Sequence, residues 1–350
     1  MNIENLVREN IKSLKAFSSA RAEFEGEADV FLDANESPYP SAYNRYPDPH
    51  QRELKNLISA SRGVPSEQII LGNGSDELID IIVRAFCEPK EDVLRYISPS
   101  FGMYKVVADI NAVRSEEVAL DSAYDLDVAL CLTHQTDRHK LLFLCSPNNP
   151  TGNLLSKDRV EKVVAGWKGI VVIDEAYIEF SDQDSILTEL SQLENVIVLQ
   201  TFSKAMGGAG LRLGMGFASE EIISYLVKLK PPYNVNNHTQ TAAKELLENI
   251  EQTKTQIAEC KKERQKVVSV LDNQDGVLEI YPSVTNFVLV RFEKHKELYQ
   301  YLMRHGLIIR DRSNQLNCEG CLRLTIGLPK ENELLLKLIS QYYEEGVIYR

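Results

Sequence analysis

No apolar run in this chain approaches the ~20 residues needed to cross a bilayer; the most apolar segments, residues 141–145 and 170–173, have the length of strands. Cysteine is scarce, with six in 350 residues, at positions 87, 131, 145, 260, 318 and 321. That scatter suits free thiols in a reducing compartment and excludes a disulfide framework. Cys318 and Cys321 make one C-x-x-C, but no second pair accompanies it and it leads into an apolar run, so no metal or redox centre is expected. Positive charge is also short: 39 Lys and Arg face 51 Asp and Glu, a formal charge of −12. A surface that repels phosphate backbones argues against nucleic acid or anionic membranes as the main partner. Small anionic ligands are not excluded where basic residues gather locally. Residues 1–17 carry acids among their bases and lack an apolar core of signal-peptide length, so no secretory or transit leader is expected and the location reads as cytoplasmic.

What is present is the composition of a globular chain, 43% hydrophobic and 26% charged, which excludes disordered, collagen-like and coiled-coil classes. Its 350 residues suit roughly two domains of ~150 residues each. An N-terminal helical stretch is followed by an extended arm over 30–40 and an irregular Pro-rich patch over 43–49. Helical patterns (50–62, 75–87, 156–167, 185–193) then alternate with Val-, Ile- and Leu-rich runs (68–71, 93–97, 140–145, 170–173, 196–199, 214–218). Apolar strands without polar alternation, separated by helices, predict an α/β fold with a mostly parallel sheet covered on both faces. Near 235 the rhythm changes to a charged helical region, 239–271, with no Gly or Pro. Beyond it, strand runs (277–281, 286–292, 307–310, 321–326) and helical runs (295–305, 330–344) predict a smaller α+β unit. The expected divisions are an arm and helix over 1–48, a large domain over 49–235, and a linking helix with a small C-terminal domain over 236–350.

Ligands of open parallel sheets sit beyond the carboxyl ends of the strands, so the polar residues after each apolar run are the candidates. They are Gly72-Asn73-Gly74-Ser75-Asp76-Glu77, Ser146-Pro147-Asn148-Asn149-Pro150-Thr151-Gly152, Asp174-Glu175-Ala176-Tyr177 and Thr201-Phe202-Ser203-Lys204. In the first, two glycines allow a tight turn, and Ser75 and Asp76 open a helix whose free N–H groups suit a phosphate. Taken alone, that segment reads equally as a simple helix cap. The spacing of the glycines in 207–214 departs from G-x-G-x-x-G and an apolar run follows, so a nicotinamide cofactor is discounted. Lys204 at a strand end suits a Schiff base, with Ser203 and Arg212 beside it for a phosphate. Asp174 could pair with a protonated pyridine nitrogen, and Tyr177 and Asn149 could hydrogen-bond a ring oxygen. Singly each has a bland reading: a surface lysine, a cap, a core tyrosine, a turn former. Four such strand ends together point to one site.

The set 146–152, 174–177 and 203–214 resembles the fold-type I pyridoxal-phosphate aminotransferases, and the likeness covers nearly the whole chain. Asn44-Arg45-Tyr46-Pro47, Arg84 to Pro89, Asp174 to Phe180, Ile308-Ile309-Arg310-Asp311 and Gly320 to Gly327 are most similar to the branch of that family acting on histidinol phosphate. The resemblance implies a pyridoxal 5'-phosphate enzyme in which Lys204 bonds the cofactor, Asp174 partners the pyridinium, and Asn149 and Tyr177 serve the phenolic oxygen. Ser203, Arg212 and the backbone at Ser75 and Asp76 would hold the phosphate, with Tyr46 arriving from the other subunit of a homodimer. Phe101 matches the aromatic that stacks on the ring, where many relatives have Tyr. Arg323 matches the arginine for the amino donor's carboxylate and Arg310 the one for the substrate phosphate. Phe17 falls where some relatives have a Tyr that helps with that phosphate. The implied reaction is a ping-pong transamination of histidinol phosphate with 2-oxoglutarate, giving glutamate, in histidine synthesis. The same cofactor residues would serve an aromatic amino-acid aminotransferase or a phosphothreonine decarboxylase. The effector domain of a regulator is disfavoured because no basic DNA-binding module precedes the arm. A plain α/β protein without cofactor would lack the yellow colour of a bound aldehyde.

Overall fold

The apolar runs become strands of one seven-stranded sheet: β1 (Ile69–Asn73), β2 (Val93–Ser98), β3 (Arg114–Ala119), β4 (His139–Cys145), β5 (Ile170–Asp174), β6 (Val196–Thr201) and β7 (Leu213–Phe217). The structure is a computed structural model and describes residues 2–15, 18, 20–24, 26 and 29–344. The strand order is β1-β7-β6-β5-β4-β2-β3. Only β7 runs antiparallel to its neighbours, so the carboxyl ends of β1, β4, β5 and β6 and the amino end of β7 share one edge. Alternate residues feed two apolar layers. Leu142, Leu144, Val171 and Ile173 face one core, while Leu141, Phe143, Ile170 and Val172 face the other. Every residue of β5 and β6 is buried, as a sheet covered on both faces requires.

Helices Gly74–Phe86, Met103–Ile110 and Glu220–Leu229 close one face. Arg52–Arg62, Lys157–Gly166 and Asn237–Glu248 close the other. A second, antiparallel sheet is ordered β10-β11-β9-β8, built from β8 (Val277–Ile280), β9 (Phe287–Phe292), β10 (Arg310–Asp311) and β11 (Cys321–Thr325). Its apolar face packs against helices Ile250–Leu271, His295–Arg304 and Pro329–Glu344. Residues 30–47 contain neither helix nor strand, in keeping with the expected arm. Phe17 lies outside the described residues.

Several elements depart from the sequence reading. The uninterrupted helix expected over 239–271 is two helices that meet at Asn249, whose φ of −97 and ψ of 29 break the axis without Gly or Pro. The helix expected over 185–193 is a 3-10 segment, Ile186–Gln192, whose cap Ser185 accepts from the Leu187 N–H. The strand expected over 307–310 shrinks to two residues. Strand β3 was not anticipated, because Arg-Ser-Glu-Glu-Val-Ala is the sequence of a half-exposed edge strand.

Two contacts fix the strand ends that matter. Gly214 lies where β7 passes the start of helix Gly74–Phe86, and a Cβ there would come within 2.3 Å of the Ser75 nitrogen. Beyond β5, the mostly buried Glu179 carboxylate accepts from Arg62 Nη2 at 2.8 Å, and its other oxygen has no partner. This ion pair ties helix Arg52–Arg62 to the loop that carries Tyr177.

Gly214→Ala is expected to cost about 1–3 kcal/mol in urea unfolding, because a backbone atom cannot step aside. Gly210→Ala, whose Cβ would meet nothing within 4 Å, should cost far less. Burial pushes the Glu179 carboxyl up and Arg62 opposes that shift. Without Arg62 the folded chain binds a proton that the unfolded chain releases, so stability falls as pH rises past the ordinary carboxylate range. Arg62→Ala should therefore cost about 3–5 kcal/mol near pH 8 and visibly less near pH 5.

Candidate active site

At the shared edge a cavity of about 180 Å³ is lined by Ser75, Asp76, Phe101, Asn149, Asp174, Tyr177, Ser203, Lys204, Arg212 and Arg323, by Ala176 and Thr201 of the candidate segments, and by Cys145 and Arg312, which the sequence does not single out. A larger cavity, about 460 Å³, lies on the far side of Glu175, and of the candidate segments only Ser146 and Glu175 reach it. The two carboxylates that end β5 thus face opposite ways. Glu175 accepts from Ile186 N at 2.8 Å and Gln200 Nε2 at 2.9 Å, and burial pushes its carboxyl up to about 7. It anchors the 3-10 segment, whereas Asp174 serves the cavity.

Asp174 is 2% exposed. Its Oδ2 accepts from the Tyr104 hydroxyl at 2.7 Å and its Oδ1 from the Ala176 N–H at 3.1 Å. Burial raises its pKa, and these two hydrogen bonds oppose the rise. Tyr104 is itself fully buried, stacked on Phe143 at 4.7 Å and edge-on to Phe101 at 5.7 Å. Sequence reasoning missed it. Its signal was a tyrosine three residues after Phe101, at the start of the helix that follows.

One end of the cavity is built for an anion. Helix Gly74–Phe86 starts without a side-chain cap, leaving its first N–H groups free. Gly74, at φ +75, lets Arg212 close in: a Cβ there would sit 2.7 Å from Nη2. Arg212 takes the left-handed conformation and reaches Ser203 Oγ at 3.5 Å and Asp76 Oδ2 at 3.4 Å. Thr201 positions this turn, donating to Leu213 O at 3.2 Å and accepting from Ser203 N at 3.1 Å.

Lys204 opens to the cavity with Nζ over the Tyr177 ring, 5.5 Å from its centroid. Its pKa is lowered, first by burial and then by Arg323. Tyr177 is buried against Phe287, and burial raises its hydroxyl pKa. Asn149 accepts from Arg323 Nη1 at 2.5 Å. The neighbouring Asn148, wholly buried, holds the wall together by donating to Pro99 O at 2.9 Å and Thr151 Oγ1 at 2.7 Å and accepting from Ser100 Oγ at 2.9 Å. It thereby sets Asn149 and Phe101 side by side.

The small sheet supplies the opposite wall. Arg323 on β11 and Arg312 just after β10 each have a buried Nε with no partner, and burial lowers both guanidinium pKa values. Arg310 does not line the cavity. It is exposed and pairs in register with Arg323 across the β10–β11 ladder. Tyr46 lies elsewhere too, half exposed and stacked on Tyr233 at 4.5 Å. Cys318 and Cys321 are buried free thiols, and no cluster of potential metal ligands exists among the described residues.

Chemically, the arrangement offers an anion cradle, a buried carboxylate, an amine of lowered basicity, and a guanidinium pair awaiting a second anion. The uncapped helix start, the cradle that a Cβ at Gly74 would fill and the isolated Asp174 carboxylate fit a phosphorylated, ring-nitrogen aldehyde.

A curated histidinol-phosphate aminotransferase of Parabacteroides distasonis is 51% identical, covering 97% of this chain and 98% of its own. Among solved structures, the histidinol-phosphate aminotransferase from Clostridium acetobutylicum superposes with a TM-score of 0.79 at 25% identity, over 87% of this chain and 91% of that one. The L-threonine-O-3-phosphate decarboxylase from Porphyromonas gingivalis does so with a TM-score of 0.74 at 25% identity, over 86% and 91%. The family model for aminotransferase class I and II matches residues 28–339, and the chain belongs to that family.

Proposed function

We propose that the chain transfers the amino group of L-histidinol phosphate to 2-oxoglutarate, giving imidazole-acetol phosphate and glutamate, with pyridoxal 5'-phosphate as cofactor. The observation that carries this reading is the meeting of Lys204, Asp174 and Arg323 in one cavity, in a chain 51% identical to a relative of that name. When bound, pyridoxal phosphate supplies an electron sink for the pair left on the substrate carbon.

The chain's own residues do the rest. Arg212, Ser203 and the N–H groups of Ser75 and Asp76 grip the cofactor phosphate. Asp174, oriented by Tyr104, keeps a proton on the ring nitrogen. Asn149 and Tyr177 would donate to the cofactor's ring oxygen, and Phe101 would stack on its ring. Lys204 would hold the cofactor, and its Nζ is the group placed to remove the proton from the substrate's amine-bearing carbon and to return it. Its lowered pKa keeps more of it in the neutral, basic form at working pH. Arg323 takes the α-carboxylate of glutamate, and Arg310, opposite it in the ladder, lends charge toward the substrate phosphate. Tyr46 would complete the substrate side from the partner's arm.

The same reading makes the enzyme a cytoplasmic homodimer in which Tyr46 of one subunit serves the cofactor phosphate of the other. Its support is that Tyr46 lies on an irregular arm and outside its own chain's cavity. Among the described residues no helix is long and apolar enough to cross a membrane. A decarboxylase reading is supported by a neighbour at 25% identity and would release carbon dioxide from phosphothreonine.

Purified protein should turn over histidinol phosphate with 2-oxoglutarate, and product analysis that found only decarboxylation would overturn the reading. Lys204→Ala should still take up the cofactor yet lose turnover to background, and borohydride should fix the cofactor to the wild type but not to this variant. Mixing Lys204→Ala chains with Tyr46→Ala chains should raise activity above the mean of the two homodimers once subunits exchange, because the site that keeps Lys204 and Arg212 then receives an intact Tyr46 from its partner. Absence of recovery despite proven exchange would contradict a shared site.

A further inference from the structure

Arg312 has no role in the mechanism above, yet it lines the cavity where Arg310 does not. Its place is well determined. The Arg312 N–H donates to Cys321 O at 3.0 Å, its own carbonyl accepts from Gln315 N at 3.0 Å, and the Cys318 N–H donates to Gln315 O at 3.1 Å. The Gln315 side chain then donates to Ser100 O at 3.1 Å, next to Phe101. The loop after β10 is therefore laced to β11 on one side and to the ring-stacking wall on the other.

Electrostatically the position is costly as it stands. After burial, the strongest influences on Arg312 are repulsion from Arg323 and from Arg310, and they push its guanidinium down to about 10. Its Nε, like that of Arg323, is buried without a partner. Two half-buried guanidiniums aimed into one cavity call for negative charge brought by a ligand.

How much charge decides which ligand. A carboxylate carries one negative charge and is satisfied by one bidentate guanidinium. A phosphate monoester near neutral pH carries about −1.5 to −2 and has oxygens for two. We propose that Arg312 is the residue that selects a phosphate ester over a carboxylate in this site, sharing the dianion with Arg323 and standing idle when a carboxylate occupies the same place. This rests on the proposed function, since it assigns the reader of that substrate's phosphate.

The test is single-turnover kinetics of each half-reaction on the holoenzyme, read by cofactor absorbance. Arg312→Gln should slow the histidinol-phosphate half-reaction by about thirtyfold or more, as expected for removing one partner of a desolvated ion pair, and leave the glutamate half-reaction near the wild-type rate. Arg312→Lys, with the charge but not the fork, should fall between. Equal losses on both sides, or no loss on the phosphate side, would overturn the proposal. Equilibrium binding of inorganic phosphate and of acetate to the holoenzyme makes the same comparison without turnover. If the wild type ignored histidinol phosphate, the proposed function would fail by itself. Arg312→Gln weakening phosphate but not acetate would still support the assignment, and equal weakening would sink it.

Discussion

A carboxylate held out of water at the end of a central strand is the constraint around which the site is arranged. Asp174 sits among buried residues with only two hydrogen-bond donors, and isolation raises its pKa. Such a group is a poor neighbour for neutral surroundings and a strong partner for a cation. A ring nitrogen placed beside it gains a proton for the same reason that the bare carboxyl tends to keep one. Tyr104 shapes this further. Its hydroxyl fixes the carboxylate's orientation, and its ring, wedged against Phe143 and Phe101, couples that orientation to the stacking wall.

The remaining groups are spread around that carboxylate by the topology of the large sheet. Because β7 alone runs against its neighbours, Arg212 arrives at the same edge as the carboxyl ends of β1, β5 and β6, and glycine at 214 lets the chains approach closely enough to form the anion cradle. The second sheet contributes only arginines. The cavity thus has helix N–H groups and a single guanidinium on one side, the guanidiniums of Arg312 and Arg323 on another, and Lys204 in its lining.

Much of this was legible in the sequence because buried parallel strands are written as unbroken apolar runs, and the polar residue after each run is then a site candidate. Asp174, Asn149, Lys204 and Ser75 were found that way. Strand β3 was invisible, since an edge strand needs no apolar face on both sides, and the break at Asn249 leaves no trace in residue type. Tyr104 and Asn148 were read past because a buried tyrosine and a turn asparagine look the same whether they pack or position a catalytic neighbour. Arg310 and Arg312 are indistinguishable by pattern, and only the bend after the two-residue strand β10 places one in the cavity and leaves the other outside it.

The account stands or falls on the proton at the ring nitrogen. The direct measurement is nitrogen NMR of the protein reconstituted with pyridoxal phosphate labelled with nitrogen-15 in the ring. The account predicts a pyridine nitrogen in the wild type that stays protonated at pH values where the free cofactor's ring has lost its proton, and loss of that proton in Asp174→Asn. An unprotonated nitrogen in the wild type, or one whose signal is indifferent to Asp174→Asn, would contradict it.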